Sequence, residues 1–349
     1  YGHGAIPCVN AAIKEGVNYF GVGIIQEGIE LRENGVSSPI LILGGINPDE
    51  IEDLIKFNLS TSLSTLTLAK VISKQAKYAC KKVNVHIKIN TGMGRLGFNP
   101  EDFSCQLNDI MDDKNLNVEG IFTHLACADK EDSEITYNQI SCFSKLLEEW
   151  KNSNKSKPNN TDRPLLVHSA NTAGLVRFPE SRFNMVRPGI SLYGSMPSTV
   201  LSRNFNQLIK EKQFSKLLPV MQWKTKIIQV QTLQKGTPVS YGGRYVTKKD
   251  SHIATLPVGY ADGLNRRLSN NMELLVKGKR VKQVGTICMD MCLIDVTDIP
   301  NVAVGEEVVI FGNQGKAQIR VEELAAQAET IPYEILCLVG KRVPRVYIP

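Results

Sequence analysis

The sequence is short of most features that would place it quickly. No apolar run among its 349 residues is long enough to cross a bilayer, so no membrane partner is expected. The eight cysteines never form C-x-x-C, and the five histidines never form H-x-x-x-H or gather beside a cysteine; no metal site is therefore expected. Cys8, Cys80, Cys142 and Cys337 stand dispersed, mostly in apolar surroundings. That is the pattern of reduced thiols in a cytoplasmic protein rather than of a disulfide frame. Aromatic residues are few, 7%, and nowhere interleave with a basic stripe. The net charge of +6, scattered apart from lysine clusters at 151–157 and 210–216, thus predicts no nucleic-acid surface. There is no internal repeat, and only the Asn/Lys/Ser-rich stretch 152–160 is of low complexity. What remains is an ordinary globular composition at a length suited to two domains.

The first two hundred residues alternate strand-like apolar runs with helical patterns. The runs fall at 18–22, 40–43, 61–64, 83–89, 118–124, 165–168 and 183–192. The helical patterns lie at 25–32, 48–57, 66–81, 100–111 and 134–150, with a short one from Thr172. This alternation predicts βαβ units around a parallel sheet covered by helices. Seven strands are visible, and the chain opens in a loop, Tyr1-Gly2-His3-Gly4, that leads straight into a helix. A closed (β/α)8 TIM barrel needs eight, so the first strand is expected to lie before Tyr1. An open doubly wound sheet would show G-x-G-x-x-G after its first strand, and none stands there. Beyond about residue 204 the texture changes to short strands broken by glycine and proline, with one helix expected at 321–328. The expected division is a barrel domain over 1–212 and a mainly-β domain over 213–349.

On the barrel reading, five polar motifs fall at the C-terminal ends of strands, the face that carries barrel active sites. They are YGHG, TGMGR (91–95), THLA (123–126), HSANT (168–172) and RPGIS (187–191). In TGMGR no G-K-[ST] follows, so the loop reads either as a turn projecting Arg95 inward as a fork for an anion or as a surface turn with a solvated arginine. HSANT and RPGIS read as a phosphate site, with Asn171 and Thr172 at a helix start and Gly189 allowing close backbone approach; Thr172 as a plain N-cap is the alternative. In the second domain VSYGG sets Tyr241 beside glycines, GTICMD ends in Asp290, and TIPYE places Tyr333 after a proline.

Together YGHG, TGMGRLGF, THLA, HSANT, NMVRPGISLYG, VSYGGRY, LPVGYADG, VGTICMD, TIPYEILC and RVPRVY, in this order along the whole chain, resemble the alanine racemase family. The resemblance implies interconversion of L- and D-alanine on pyridoxal 5′-phosphate, in a homodimer with shared active sites, supplying D-alanine for peptidoglycan. It implies that Tyr1, Thr172, Gly189, Ile190 and Tyr333 hold the cofactor phosphate, with Leu43, His168 and Asn171 beside the cofactor. Arg187 would face the pyridine nitrogen and keep it unprotonated. Arg95, positioned by Lys88 (carbamylated in many relatives), and the Met289 backbone N–H would receive the substrate carboxylate. Tyr241, from the partner subunit and with His124 set against it, would be one of two acid–base groups; Tyr260 would line the mouth, and Asp290 would support it. The family's cofactor lysine, the second base, sits four residues before the tyrosine of YGHG and so before Tyr1. On that count the chain by itself is expected to be poorly stable and inactive. A broad-range or serine racemase, a barrel decarboxylase of basic amino acids and a non-catalytic cofactor-binding fragment are the alternatives; the VSYGG and TIPYE tyrosines and the Met-Asp after GTIC favour a racemase.

Overall fold

Helices alternate with the strands of a parallel sheet in the first part of the chain, and strand residues such as Ile40–Ile42 are buried on both faces. The computed structural model describes residues 1–153, 164–211 and 215–348. Most of the 152–160 stretch, part of the 210–216 lysine cluster and the domain boundary expected at 212/213 lie outside them. The chain divides into two compact units. One comprises Ala5–Gly189 with Arg203–Gln207; the other comprises Tyr1–Gly4, Ile190–Ser202 and Leu208–Pro349.

In the first unit six strands pair in chain order, every pair parallel: β1 (Phe20–Val22), β2 (Ile40–Ile42), β3 (Ser60–Leu63), β4 (Val83–Lys88), β5 (Leu116–Phe122) and β6 (Leu166–His168). Sequential order with a helix between neighbours is the barrel-type arrangement expected. The helix Leu66–Tyr78 shows how local sequence builds it. Thr65 Oγ1 accepts from Leu68 N at 3.2 Å as N-cap, and Ala69, Ile72, Ser73 and Ala76 recur at helical spacing on the buried face. The run 183–192 departs from expectation and forms no strand. Phe183 adopts φ +44°, Pro188 has no N–H to give a ladder, and Ile190–Tyr193 winds into a 3-10 turn. Among the described residues no backbone ladder ties it to β6: the backbone bonds are the isolated pair Asn184 N to Val167 O and Arg187 N to Ala170 O (2.9 Å), and the Asn184 side chain adds bonds to Val167 N (2.6 Å) and Leu165 O (2.9 Å).

The second unit is mainly antiparallel: β7 (Trp223–Lys226), β8 (Gln229–Leu233), β9 (Pro238–Val239), β10 (Tyr245–Val246), β11 (Ser251–Leu256), β12 (Glu273–Val276), β13 (Lys279–Lys282), β14 (Cys292–Asp295), β15 (Glu307–Gln314) and β16 (Ala317–Ile319). β11 is flanked by β8 and β14, while β15 joins β7, β12 and β16. Its core gathers Leu274, Leu275, Ile294, Val308 and Ile310, together with Ile190. Beyond Leu217 the described residues form two α-helices rather than one: Val321–Gln327, as expected, and Pro332–Leu338, which begins with proline at its first position. No helix among the described residues is long and apolar enough to cross a membrane.

Candidate active site

β4 presents alternate side chains to one side of the sheet, and so His86 and Lys88 fall on the same face. Lys88 is buried, with its ammonium 5.4 Å from the Phe122 ring centre. Burial first, then Arg95 and Arg187, bring its pKa down to about 8. Arg187 is held by the backbone of two neighbouring strand ends: Nη2 donates to Thr123 O (2.9 Å) and Ser169 O (3.2 Å), and Nη1 donates to His168 Nδ1. Burial lowers Arg187 only to about 10, which leaves it charged at neutral pH. Its Nε–H is donated to no group among the described residues. His124 lies 3.4 Å from Arg187 Nη2 through Nδ1, and burial followed by Arg187, Lys88 and Arg95 pulls it down to about 4. No carboxylate faces Lys88, His124 or Arg187 among the described residues. The cluster therefore calls for an anion.

Arg95 is exposed, yet its charge reaches Lys88 and His124. Its loop carries Gly92, Gly94 and Gly97 at G-x-G-x-x-G spacing, but no helix starts within it. Instead Asn90 Oδ1 accepts from Gly94 N (2.8 Å), and Phe98 N returns to Lys88 O (2.8 Å). At Gly97, with φ +127°, a Cβ would stand 2.6 Å from Asn90 N, so only glycine closes this loop. At HSANT, Asn171 rather than Thr172 caps the helix Thr172–Arg177, accepting from Gly174 N at 3.0 Å. Thr172 Oγ1 instead accepts from Gly189 N at 2.9 Å. Leu43 sits one residue beyond β2, donating its N–H to Val22 O.

A buried polar chain behind Arg187 was not foreseen. His168 Nε2 meets His86 Nδ1 at 2.8 Å, and His86 Nε2 meets the Tyr19 hydroxyl at 2.9 Å. Tyr19 donates to Glu119 at 3.1 Å, and Ser60 donates to the same oxygen at 2.9 Å. Because arginine can only donate, His168 Nδ1 must accept, and each ring then passes its single N–H outward toward Glu119. The signal available was strand parity, which puts His86 of V-H-I-K on the Lys88 face. Burial holds His86 down at about 3 and His168 well below the ordinary value, Arg187 adding to both. In the unfolded chain both titrate near 6.5, so there they bind more protons as the pH falls. The stability they give is complete above about pH 6.5 and is lost as pH drops through the folded value. Between pH 7 and 4.5 His86 alone should remove about 2–3 kcal/mol. Urea midpoints across that range check this; a flat profile would show that these rings are not held neutral.

In the second unit Tyr1, Tyr193 and Tyr333 cluster, with ring centres 5.2 Å (Tyr1–Tyr193) and 5.5 Å (Tyr1–Tyr333) apart. His3 packs 4.4 Å from Tyr193. The opening glycine explains itself here: at Gly2, φ +75°, a Cβ would lie 2.2 Å from Leu336 O. Tyr193 was missed, since nothing local distinguishes it from a packing tyrosine.

Tyr241, Tyr260, Met289 and Asp290 occupy neighbouring loops of this unit. Ser240 Oγ donates to Thr286 O (2.6 Å) and Thr286 Oγ1 to Tyr241 O (2.8 Å). Tyr260 N and Ala261 N donate to Cys288 O and Met289 O, both at 3.0 Å. Arg342 pairs with Asp290 at 2.8 Å and Asp262 at 3.3 Å, locking the two loops. Tyr241 is 73% exposed and Met289 54%; the Met289 N–H is donated to nothing among the described residues.

Residues 1–197 match the family model described as alanine racemase, N-terminal domain, and 220–347 that of alanine racemase, C-terminal domain. The alanine racemase of Halothermothrix orenii is 42% identical over 348 residues, covering 99% of this chain and 87% of that protein. That of Methanococcus maripaludis is 39% identical over 349 residues, covering 100% and 89%. Among solved structures, alanine racemase of Clostridium difficile 630 superposes with TM-score 0.89 at 36% identity, covering 100% of this chain and 86% of that one. That of Streptomyces lavendulae, a D-cycloserine producer, gives 0.90 at 32%, covering 100% and 88%.

Proposed function

From the premise that this chain belongs to the alanine racemase family, we propose that it interconverts L- and D-alanine with pyridoxal 5′-phosphate. The observation that carries this reading is the cluster of Lys88, Arg95 and Arg187 with no carboxylate among them. This excess of positive charge at strand ends suits a ligand that is itself anionic, carrying a phenolate and a carboxylate near Arg95. The cofactor fits these residues. Arg187 has an Nε–H, donated to no group among the described residues, for its ring nitrogen, and Thr172 and Gly189, held side by side by the Gly189 N–H to Thr172 Oγ1 bond, are the pair we assign to its phosphate. The family resemblance gives Tyr1, Ile190 and Tyr333 a part in holding phosphate, and Leu43, His168 and Asn171 a place beside the cofactor. When bound, the group draws electrons from the substrate's Cα as its C–H bond breaks.

The protein's own part is to place the substrate and move protons. On the family's shared-site pattern, Arg95 receives the carboxylate together with a Met289 N–H supplied by the second copy of the chain, as is Tyr241. Lys88, whose amine is partly neutral near pH 7, can itself meet part of this demand for an anion by taking up carbon dioxide as a carbamate, which would set a negative charge against Arg95. Tyr241 removes or returns the proton on one face of Cα, since inversion needs a base on each side. His124 accepts from Arg187 through Nδ1, so its proton lies on Nε2, where it can be donated to a phenolate and favour the ionised tyrosine. The exposed Tyr241, Tyr260 and Met289, in loops held by the Arg342–Asp290 pair, suit burial against a second copy of the chain. The scattered cysteines, none in a disulfide among the described residues, suit the reducing cytoplasm.

The test is direct. The enzyme expressed from its whole reading frame, given pyridoxal 5′-phosphate, should convert either alanine enantiomer to the racemate and leave ornithine and lysine undecarboxylated. Faster turnover of serine than of alanine would overturn the substrate assignment. Carbon dioxide release from basic amino acids would overturn the reaction class.

A further inference from the structure

Gln139 lies on the helix Glu134–Ser153 and is 1% exposed. Its amide joins two loops of the site, the one after β4 that carries Arg95 and the one after β5 that carries His124. Oε1 accepts from Ala126 N at 2.9 Å. Nε2 donates to His124 O at 3.0 Å and to Thr91 Oγ1 at 3.4 Å. The orientation is forced, because a flipped amide would set its NH2 against the Ala126 N–H and its oxygen against the His124 carbonyl. The hydroxyls beyond it are ordered too. Thr123 Oγ1 gives its one proton to Ile89 O at 2.9 Å, so across the 2.7 Å contact with Thr91 it is Thr91 that donates. Thr91 is then the acceptor that Gln139 requires. From Gln139 through Thr91 and Thr123 to Ile89 every donor points the same way, and a buried network satisfied in this manner admits one arrangement.

We propose that Gln139 is a positioning residue, one buried amide that sets the Arg95 loop and the His124 loop at the separation the reaction uses. The catalytic half of this statement rests on the racemase reading above; the loop-setting half rests on the geometry alone. Displacing either loop moves a charged group against the substrate, and misplacements of about 1 Å cost roughly 10²-fold in rate.

Two substitutions test it, with backbone hydrogen exchange read beside kinetics on the enzyme from its whole reading frame. Gln139→Glu keeps the shape and the acceptor for Ala126 N but turns an oxygen toward the His124 carbonyl. Thr91→Val keeps the shape of the loop residue and removes the hydroxyl branch, so the buried amide loses its 3.4 Å bond to Thr91 but keeps its bonds to Ala126 N and His124 O. Gln139→Glu should lose protection about tenfold or more in both 91–95 and 123–128, and kcat should fall about 10²-fold with a much smaller change in KM. Thr91→Val should loosen 91–95 alone, with a smaller loss of kcat. Wild-type protection in both loops of Gln139→Glu overturns the proposal. So does a loss spread evenly over the whole unit, which would mark a purely structural role. Loop-confined loss in a protein whose wild type has no racemase turnover would support the loop-setting role while overturning the proposed reaction.

Discussion

Replacing Tyr241 with phenylalanine in the enzyme from its whole reading frame should lower racemisation by about 10²–10⁴-fold, the usual worth of a positioned acid–base group. The loss should be one-sided. Inversion at Cα needs a proton taken from one face and another delivered to the opposite face, and the substitution removes a single hydroxyl. Solvent deuterium should still wash into one enantiomer of alanine and fail to enter the other. The loop is built to present this ring. Ser240 sits at φ +64°, Gly242 at +74° and Gly243 at +56°, a run of left-handed backbone that costs energy at a serine and persists where its surroundings impose it. Two hydroxyl bonds to the Thr286 segment fasten the turn, so the phenylalanine ring should occupy the same place and leave the fold unchanged. Equal wash-in from both enantiomers would remove Tyr241 from the reaction.

Where the sequence was readable, local rules were enough. The six strands and the helices between them follow from apolar runs and helical spacing, and the rim motifs fall at strand ends because that is where a parallel sheet hands over to its loops. Where it was not, longer-range or stereochemical facts decided. The 183–192 run has strand composition, yet Pro188 and the left-handed Phe183 defeat it. The helix Pro332–Leu338 was hidden by its shortness, although a proline at its first position announces such a start. The Tyr1–Tyr333 contact spans nearly the whole chain, so no window contains it. Gln139 was invisible for another reason: one glutamine on a twenty-residue helix looks like a solvated residue until the loops that close over it are known. His86 could have been placed on the Lys88 face by parity on β4, but its pairing with His168 of β6 and the donor directions of both rings follow only from the sheet and from Arg187 at the end.

Those directions carry the second large effect. Arg187→Glu should reduce racemisation by about 10²–10³-fold, comparable with removing one preorganised donor, while raising the share of turnover that ends in pyruvate. Arginine can only donate, so His168 Nδ1, His86 Nδ1 and the Tyr19 oxygen each accept on the side nearer Arg187, and every proton lies toward Glu119. A pyridine nitrogen set against Arg187, as proposed, would likewise be an acceptor and would stay unprotonated. A glutamate at this position accepts instead. His168 must then carry a proton on Nδ1, either by taking up a second proton or by reversing the whole chain, and a carboxylate beside the ring nitrogen favours protonation there as well. A protonated nitrogen withdraws more charge from Cα, which lengthens the time available for a proton to be returned at the wrong atom. The cluster of Lys88, Arg95 and position 187 would also gain a carboxylate it now lacks, removing one source of the depressed Lys88 pKa. Nitrogen-15 shifts of His168 would report the change of protonation directly, and pyruvate counted against alanine racemised would report its consequence. If the His168 shifts stay those of an Nδ1 acceptor, or if both products fall in proportion, Arg187 does not set the protonation of the nitrogen it faces.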